Sequence, residues 1–259
     1  MKYKLTFFID RDSCLHRYNP LTKLMLVLTL IILAFVSNSY WLPTALILVI
    51  IIPLSFLGKV QKEFFQVISK LLLPVVGFLF IMQSFFYPGG KTAIFHIWVL
   101  KVTYEGVAFA YLTASRIFVM VSSFVLLLLS THPSTLMNDL TRRGLSGTFA
   151  YVITSTLQII PQMRSKAATI IDAQRSRGLD TEGSYRKRIG SLLPLVGPLV
   201  FGSLVEVEER AIAIEARAFT SKIKKTYLKE IRDTKTEKIV RWAFVFIILF
   251  VIGSRIWRL

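Results

Sequence analysis

Two arginines in this 259-residue chain stand in nearly the same setting. Ser176-Arg177-Gly178 and Ala216-Arg217-Ala218 lie 40 positions apart, and the octets around them, Ala173 to Asp180 and Ala213 to Thr220, share one order: alanine, two variable residues, small, arginine, small, apolar, polar. An arginine between two small residues leaves its guanidinium uncrowded, so a partner's carboxylate or carbonyl can reach the five-donor fork. One such arginine alone does no more than complement the negative end of its own helix dipole. Two copies closing consecutive amphipathic helices point to docking. Catalytic groupings are sparse by comparison. A single cysteine, Cys14, and three scattered histidines, His16, His96 and His132, give no metal or redox framework. Gly90-Lys91-Thr92 has the last triplet of a phosphate-binding loop, but Phe85 stands where the first glycine is required. Glu206, Glu208 and Glu209 are the densest acidic group, and on a helix Glu208 points away from the other two. No cofactor and no metal site are expected.

The elements carrying the arginines are long helices. From Gly147 to Gly178 apolar residues recur at three and four positions, an amphipathic helix of ~45 Å. Pro161 is expected to bend it and Gly178 to stop it. A second amphipathic stretch steps through Val200, Leu204, Val207, Ala211, Ile214 and Ala218. A third, shorter helix opens at Thr131-His132-Pro133 and closes at Arg142-Arg143-Gly144.

The rest of the chain belongs in a bilayer. Hydrophobic residues make up 54% of it, mean hydropathy is +0.58, and the 34 residues from Leu24 to Leu57 carry no charge. Five spans are expected, at about 24–37, 40–57, 66–86, 104–130 and 240–257, the first two joined as a hairpin through Ser37-Asn38-Ser39. The net charge of +17 is unevenly divided. Residues 131–237 hold 17 basic and 11 acidic groups, too polar for lipid and too rich in Ile, Val and Ala for disorder. Placing them in the cytoplasm puts the N-terminus inside and 87–103 outside, in accord with the excess of lysine and arginine on cytoplasmic segments. Arg255 and Arg258 then fall outside, where they can snorkel at the interface. The 17 uncharged residues 189–205 are near the lower limit for a crossing helix. Pro194, Pro198 and basic flanks on both sides favour packing against the membrane face, and a sixth span is the alternative. Arg116 is the one charge well inside a span, which points to a structural pairing or a polar relay. The basic tract from Lys222 to Lys235 fits anionic headgroups or an acidic partner better than nucleic acid.

The domain organisation expected is therefore 1–130 for the N-terminal tail and four transmembrane helices, 131–237 for a cytoplasmic coupling-helix domain, and 238–259 for the last span. The fold class is an all-α integral membrane protein with about five transmembrane helices and long amphipathic cytoplasmic helices.

With these residues in view, the chain resembles the transmembrane T component of energy-coupling factor ABC transporters, the CbiQ-like permease family. The resemblance rests on Ser176-Arg177-Gly178 and Ala216-Arg217-Ala218, on His16 to Lys23 before the first span, on Thr131-His132-Pro133, and on Leu140 to Leu145. Ala218 replaces the family's commoner glycine, and Ser146 stands where a proline often follows Gly-Leu. The resemblance implies a subunit of a prokaryotic cell membrane without catalysis of its own. Two cytoplasmic ATP-binding cassette subunits would dock on Arg177 and Arg217, and a separate substrate-binding membrane protein, the S component, would capture a vitamin, a vitamin precursor or a metal ion. Two other classes stay open: a conventional ABC permease forming the substrate path itself, and a membrane-embedded lipid-modifying enzyme, for which the convergent acidic residues that would hold magnesium on a phosphate are wanting.

Overall fold

Helix starts along the chain are set by prolines and small polar caps. In the computed structural model, which describes residues 11, 13–37, 39–88, 92–97, 100–178, 185–219, 221 and 233–257, a single turn α1 (Cys14–Arg17) precedes α2 (Pro20–Val36). Asn19 caps α2 by accepting the Leu21 N–H at 2.9 Å, and Pro20 occupies a first-turn position where its missing N–H has no consequence. The helices α3 (Leu42–Leu57) and α4 (Gln61–Phe86) follow. Each contains an interior proline, Pro53 and Pro74, and each widens just before it into a π-helical stretch, Ile47–Ile51 and Ile68–Leu72. A proline ring collides with the carbonyl four residues back, and one wider turn removes the collision without ending the helix.

The strands β1 (Ala93–Ile97) and β2 (Leu100–Thr103) then form an antiparallel hairpin, with Ile97 opposite Leu100 and an irregularity between Ala93 and Phe95. The described elements are otherwise helical, in keeping with an all-α class. The segment is too short for a helix of useful length and rich in β-branched and aromatic residues. Thr103 caps α5 (Tyr104–Ser130) by accepting the Gly106 N–H. Further on come α6 (Pro133–Arg142), α7 (Gly147–Ser176), α8 (Tyr185–Ala216) and α9 (Lys235–Ile256). Of these, α4 and α5, at 26 and 27 residues, are long and apolar enough to cross a membrane, while α2 and α3 are shorter apolar helices.

The chain forms two compact units, one of residues 1–146 and 231–259 and the other of residues 147–230. Within the first unit α6 packs on α2. In the first unit α2 lies between α5 and α9, with α4 on the other side of α5. Phe64, Ile51, Val60 and Val119 are fully buried among Leu30, Ala34, Ile68 and Leu126. Gly106 allows α4 and α5 to close up, since a Cβ there would lie 3.1 Å from the Ser84 carbonyl oxygen and 2.9 Å from Thr103 Oγ1.

Both ends of α2 are finished by side chains from neighbouring helices. At its start the Asn19 N–H donates to Glu237 Oε1 at 2.9 Å, and Arg241 Nη1 donates to Thr22 Oγ1 at 3.2 Å. At its close Arg255 Nη1 donates to the Val36 carbonyl at 2.7 Å. The three pairs are separated by 218, 219 and 219 residues, so α2 and α9 run parallel and in register over their whole length. Parallel helices bring like poles together, and here Glu237 meets both positive poles while arginines meet the negative one. Arg116 joins them: Nε donates to the Ala34 carbonyl at 3.0 Å and Nη2 to the Ser37 carbonyl at 2.8 Å. Of the two roles open to Arg116, the structure shows the pairing with backbone. Arg255 is likewise a C-terminal cap of α2 rather than a loose interfacial charge. Finally, Lys23 Nζ donates to the Ser130 carbonyl at 2.8 Å, which sets the end of α5 beside the starts of α2 and α9.

Replacing Arg116 by Met keeps the bulk of the stem and removes both donors, leaving carbonyls in an apolar setting at about 1–3 kcal/mol for each group left unsatisfied. Thermal unfolding in detergent is expected to show a lower midpoint for Arg116→Met than for Arg255→Met, because Arg255 is exposed and water can replace it. Equal midpoints for both variants and the parent would contradict the capping role.

Candidate functional site

The second unit consists of α7 and α8 with the turns that end them. The 17 uncharged residues 189–205 are not a separate element: α8 is continuous from Tyr185 through Pro194 and Pro198 to Ala216. Both prolines stand beyond its first turn, so each removes one intrahelical hydrogen bond and the helix runs on without it. The two helices pair antiparallel, as four contacts show. Tyr151 stacks at a tilt on Phe219 with ring centroids 5.2 Å apart, and Arg210 Nη2 donates to Gln162 Oε1 at 2.8 Å. Ser203 Oγ contacts Met163 Sδ at 3.4 Å, and Lys166 forms an ion pair with Glu206. Arg210 adds a bond to Glu206 at 3.0 Å. The hydrogen bonds from Lys166 and then Arg210 hold the Glu206 carboxyl below the usual carboxylate range. Both groups lie in or near solvent, so this pairing is a register device more than a source of stability.

Each long helix ends the same way. Ser176 and Ala216 are the last helical residues, Arg177 and Arg217 occupy the C-cap, and Gly178 and Ala218 follow with φ of +89° and +53°. At α8 the Ala218 N–H bonds to the Glu215 carbonyl at 2.8 Å and the Phe219 N–H to the Ile214 carbonyl at 3.2 Å, the paired bonds of a left-handed helix stop. At α7 the Gly178 N–H bonds to the Arg175 carbonyl at 2.9 Å. The small residue after each arginine is therefore needed for its backbone. The reading from sequence assigned this stop to Gly178, and to Ala218 only the smallness that keeps the arginine uncrowded. Ala218 pays a left-handed conformation that glycine would adopt freely. Leu179, Asp180 and Thr220 of the aligned octets lie outside the described residues, as do Gly90, Lys91, Ser184, Thr226 and residues 222–232 of the basic tract.

Arg177 and Arg217 are both exposed, and neither is ion-paired with a described residue. The contacts Met163–Ser203 and Lys166–Glu206 both join residues 40 apart, which is also the spacing of the two arginines. With antiparallel helices this gives a local pseudo-two-fold relation: the arginines are equidistant from the Lys166–Glu206 contact, in opposite directions, and up to ~33 Å apart. Along the pair, Phe149, Val152, Leu157, Val200, Phe201 and Leu204 are exposed, a large apolar surface for this unit taken by itself.

The same stop occurs a third time. Arg143 is the C-cap of α6, Gly144 has φ of +113°, and the Leu145 N–H bonds to the Leu140 carbonyl at 3.1 Å. This arginine is engaged within the chain, with Nη2 3.1 Å from Asp233 Oδ2 and Nε 3.6 Å from Asp139 Oδ2. At the other end of α6, His132 is a helix cap, its Nδ1 3.3 Å from the Ser134 nitrogen. Sequence reasoning did not find Asp233, Glu237 and Arg241. The pattern Thr234-Lys235-Thr236-Glu237 was the available signal, since Glu237 Oε2 accepts the Thr234 N–H at 3.1 Å as in a capping box.

Residues 11–228 match the CbiQ family, described as "Cobalt transport protein". The energy-coupling factor transporter transmembrane protein EcfT of Ruminiclostridium cellulolyticum is 30% identical over 95% of this chain and 94% of its own length. The protein of the same name from Listeria innocua is 30% identical over 82% and 83%, and that from Lactococcus lactis subsp. cremoris 24% identical over 96% and 97%.

Ala218→Gly is expected to stabilise the end of α8 by about 1 kcal/mol by removing the left-handed penalty. Hydrogen exchange at the Ala218 and Phe219 amides would slow several-fold. Unchanged or faster exchange would contradict the helix-stop assignment.

Proposed function

Because the chain belongs to the CbiQ family and is the transmembrane energy-coupling component of an energy-coupling factor transporter of a prokaryotic membrane, we propose that Arg177 and Arg217 each dock one of two ATP-binding cassette subunits. The observation that carries this reading is the pseudo-two-fold placement of two exposed C-cap arginines about the Lys166–Glu206 contact. A pair of homologous ATPases related by a two-fold axis offers two equivalent sites to such a surface. At each site the guanidinium takes a carboxylate in charge-assisted, bidentate hydrogen bonds. Nucleotide-driven movement of the ATPases then displaces the ends of α7 and α8. The exposed apolar faces of these helices receive a separate substrate-binding membrane subunit, which carries the vitamin, vitamin precursor or metal ion.

Five spans complete the reading: α2, α3, α4, α5 and α9, with residues 131–237 in the cytoplasm. Its support is the bond from Lys23 to Ser130 and the parallel register of α2 with α9, which place the end of α5 and the start of α9 on one side. An even number of crossings must then separate them, which a lone crossing by α8 does not supply.

With Cys14 removed, single cysteines at Ser184 and Thr226 are expected to react with a membrane-impermeant thiol reagent from the cytoplasmic side alone. Labelling from opposite sides would make α8 a span and end the docking scheme.

Arg177→Glu with Arg217→Glu is expected to abolish ATPase co-purification and uptake while the substrate-binding subunit stays bound. Losing one partner of a buried charge pair costs ~2–5 kcal/mol. Lysine keeps the charge without the planar fork, so Arg177→Lys with Arg217→Lys would recover only part of the association. Stoichiometric ATPases on the double glutamate variant would show the arginines to be ordinary helix-end charges.

A further inference from the structure

The chain leaves its first unit after Ser146 and returns to it at Ile231. Arg143 stands just before the exit and Asp233 just after the return, and the two are bonded at 3.1 Å. On its other side one nitrogen of Arg241 reaches both oxygens of Asp233, at 2.7 and 3.0 Å. That arginine is buried, 8% exposed, and its second nitrogen bonds to Thr22 in the first turn of α2. Glu237, 7% exposed, accepts the N–H groups of both Thr234 and Asn19. Burial pushes the Asp233 carboxyl up, and the bonds and charges of Arg241 and Arg143 more than reverse this, so it stays ionised. A carboxylate shared by two guanidinium groups, one of them buried, holds its geometry better than an isolated surface pair.

We propose that Asp233 is a positioning residue for energy coupling, tying the exit at Arg143 to the return at Arg241 so that the two chain connections between the units act as a single joint. This rests on the reading of α7 and α8 as the ATPase-docking unit. Two separate connections would each bend alone, and displacement of α7 and α8 would be absorbed in them. Tied together, and bonded to Thr22 and Asn19 through Arg241 and Glu237, they pass the displacement to the parallel pair α2 and α9. The third arginine stop thus has a different use from the other two: it faces inward, to a partner within the chain.

The test uses the whole complex, with its ATPases and substrate-binding subunit, in liposomes. Uptake is read with Co2+, Ni2+ and radiolabelled water-soluble vitamins, and the solute carried by the parent complex is used throughout. Asp233→Asn keeps the shape and removes the charge. It is expected to retain both ATPases and an ATP hydrolysis rate within twofold of the parent, while solute carried per ATP hydrolysed falls at least fivefold. In a Cys14-free protein, Arg143→Cys with Asp233→Cys should show the same loss, and a short bis-maleimide joining the two cysteines should restore most of it. An unchanged ratio in Asp233→Asn, or no recovery on crosslinking, overturns the joint. Loss of the ATPases from Asp233→Asn also overturns it, since that makes the residue part of the docking surface. Failure of the docking reading is seen separately, in the double arginine variant.

Discussion

An α-helix has N–H groups at one end and carbonyls at the other that lack intrahelical partners, and neighbouring helices supply partners at both ends of α2. Glu237 and Arg255, one at each end of α9, and Arg116 of α5 supply what α2 lacks. The consequences spread outward. The bonds at both ends hold α2 and α9 parallel, and parallel alignment requires these charges in turn, because uncompensated like poles repel. Lys23 adds the end of α5, and Asp233 with Arg143 adds α6. Several chain segments far apart in sequence are thereby gathered at one end of the first unit, which is where the chain departs into α7 and later comes back.

The second unit is organised by a different constraint. Two helices whose arginines and whose mutual contacts share a 40-residue offset are related by a local two-fold operation. Such a pair presents two like ends. The helix stop itself explains the residues around each arginine: a left-handed residue must follow, and glycine or a strained alanine provides it. That three arginines share this stop while only Arg143 is tied within the described chain separates an internal joint from two outward ends.

Much of this was legible from residue order. The repeat at Arg177 and Arg217, the amphipathic period of α7 and the start of α6 at Pro133 are all local, and local signals survive in sequence. What was hidden is long-range or cooperative. Nothing near Arg255 announces that its acceptor is Val36, 219 residues away, so a cap looked like a charge on the wrong side of the membrane. The prolines at 194 and 198 entered only as an argument against a crossing, and nothing local told that one helix runs through both. The hairpin of residues 93–103 was lost because its strands are four and five residues long, below what periodicity resolves.

The most direct measurement is site-specific photo-crosslinking of the intact complex in its membrane, with a photoreactive amino acid placed at Ser176 or at Ala216, so that Arg177 and Arg217 stay in place, and at Arg142 as the reference. The account predicts adducts with an ATPase subunit from positions 176 and 216 and none from 142, whose neighbouring arginine is committed to Asp233. Absence of ATPase adducts from both 176 and 216 would contradict it.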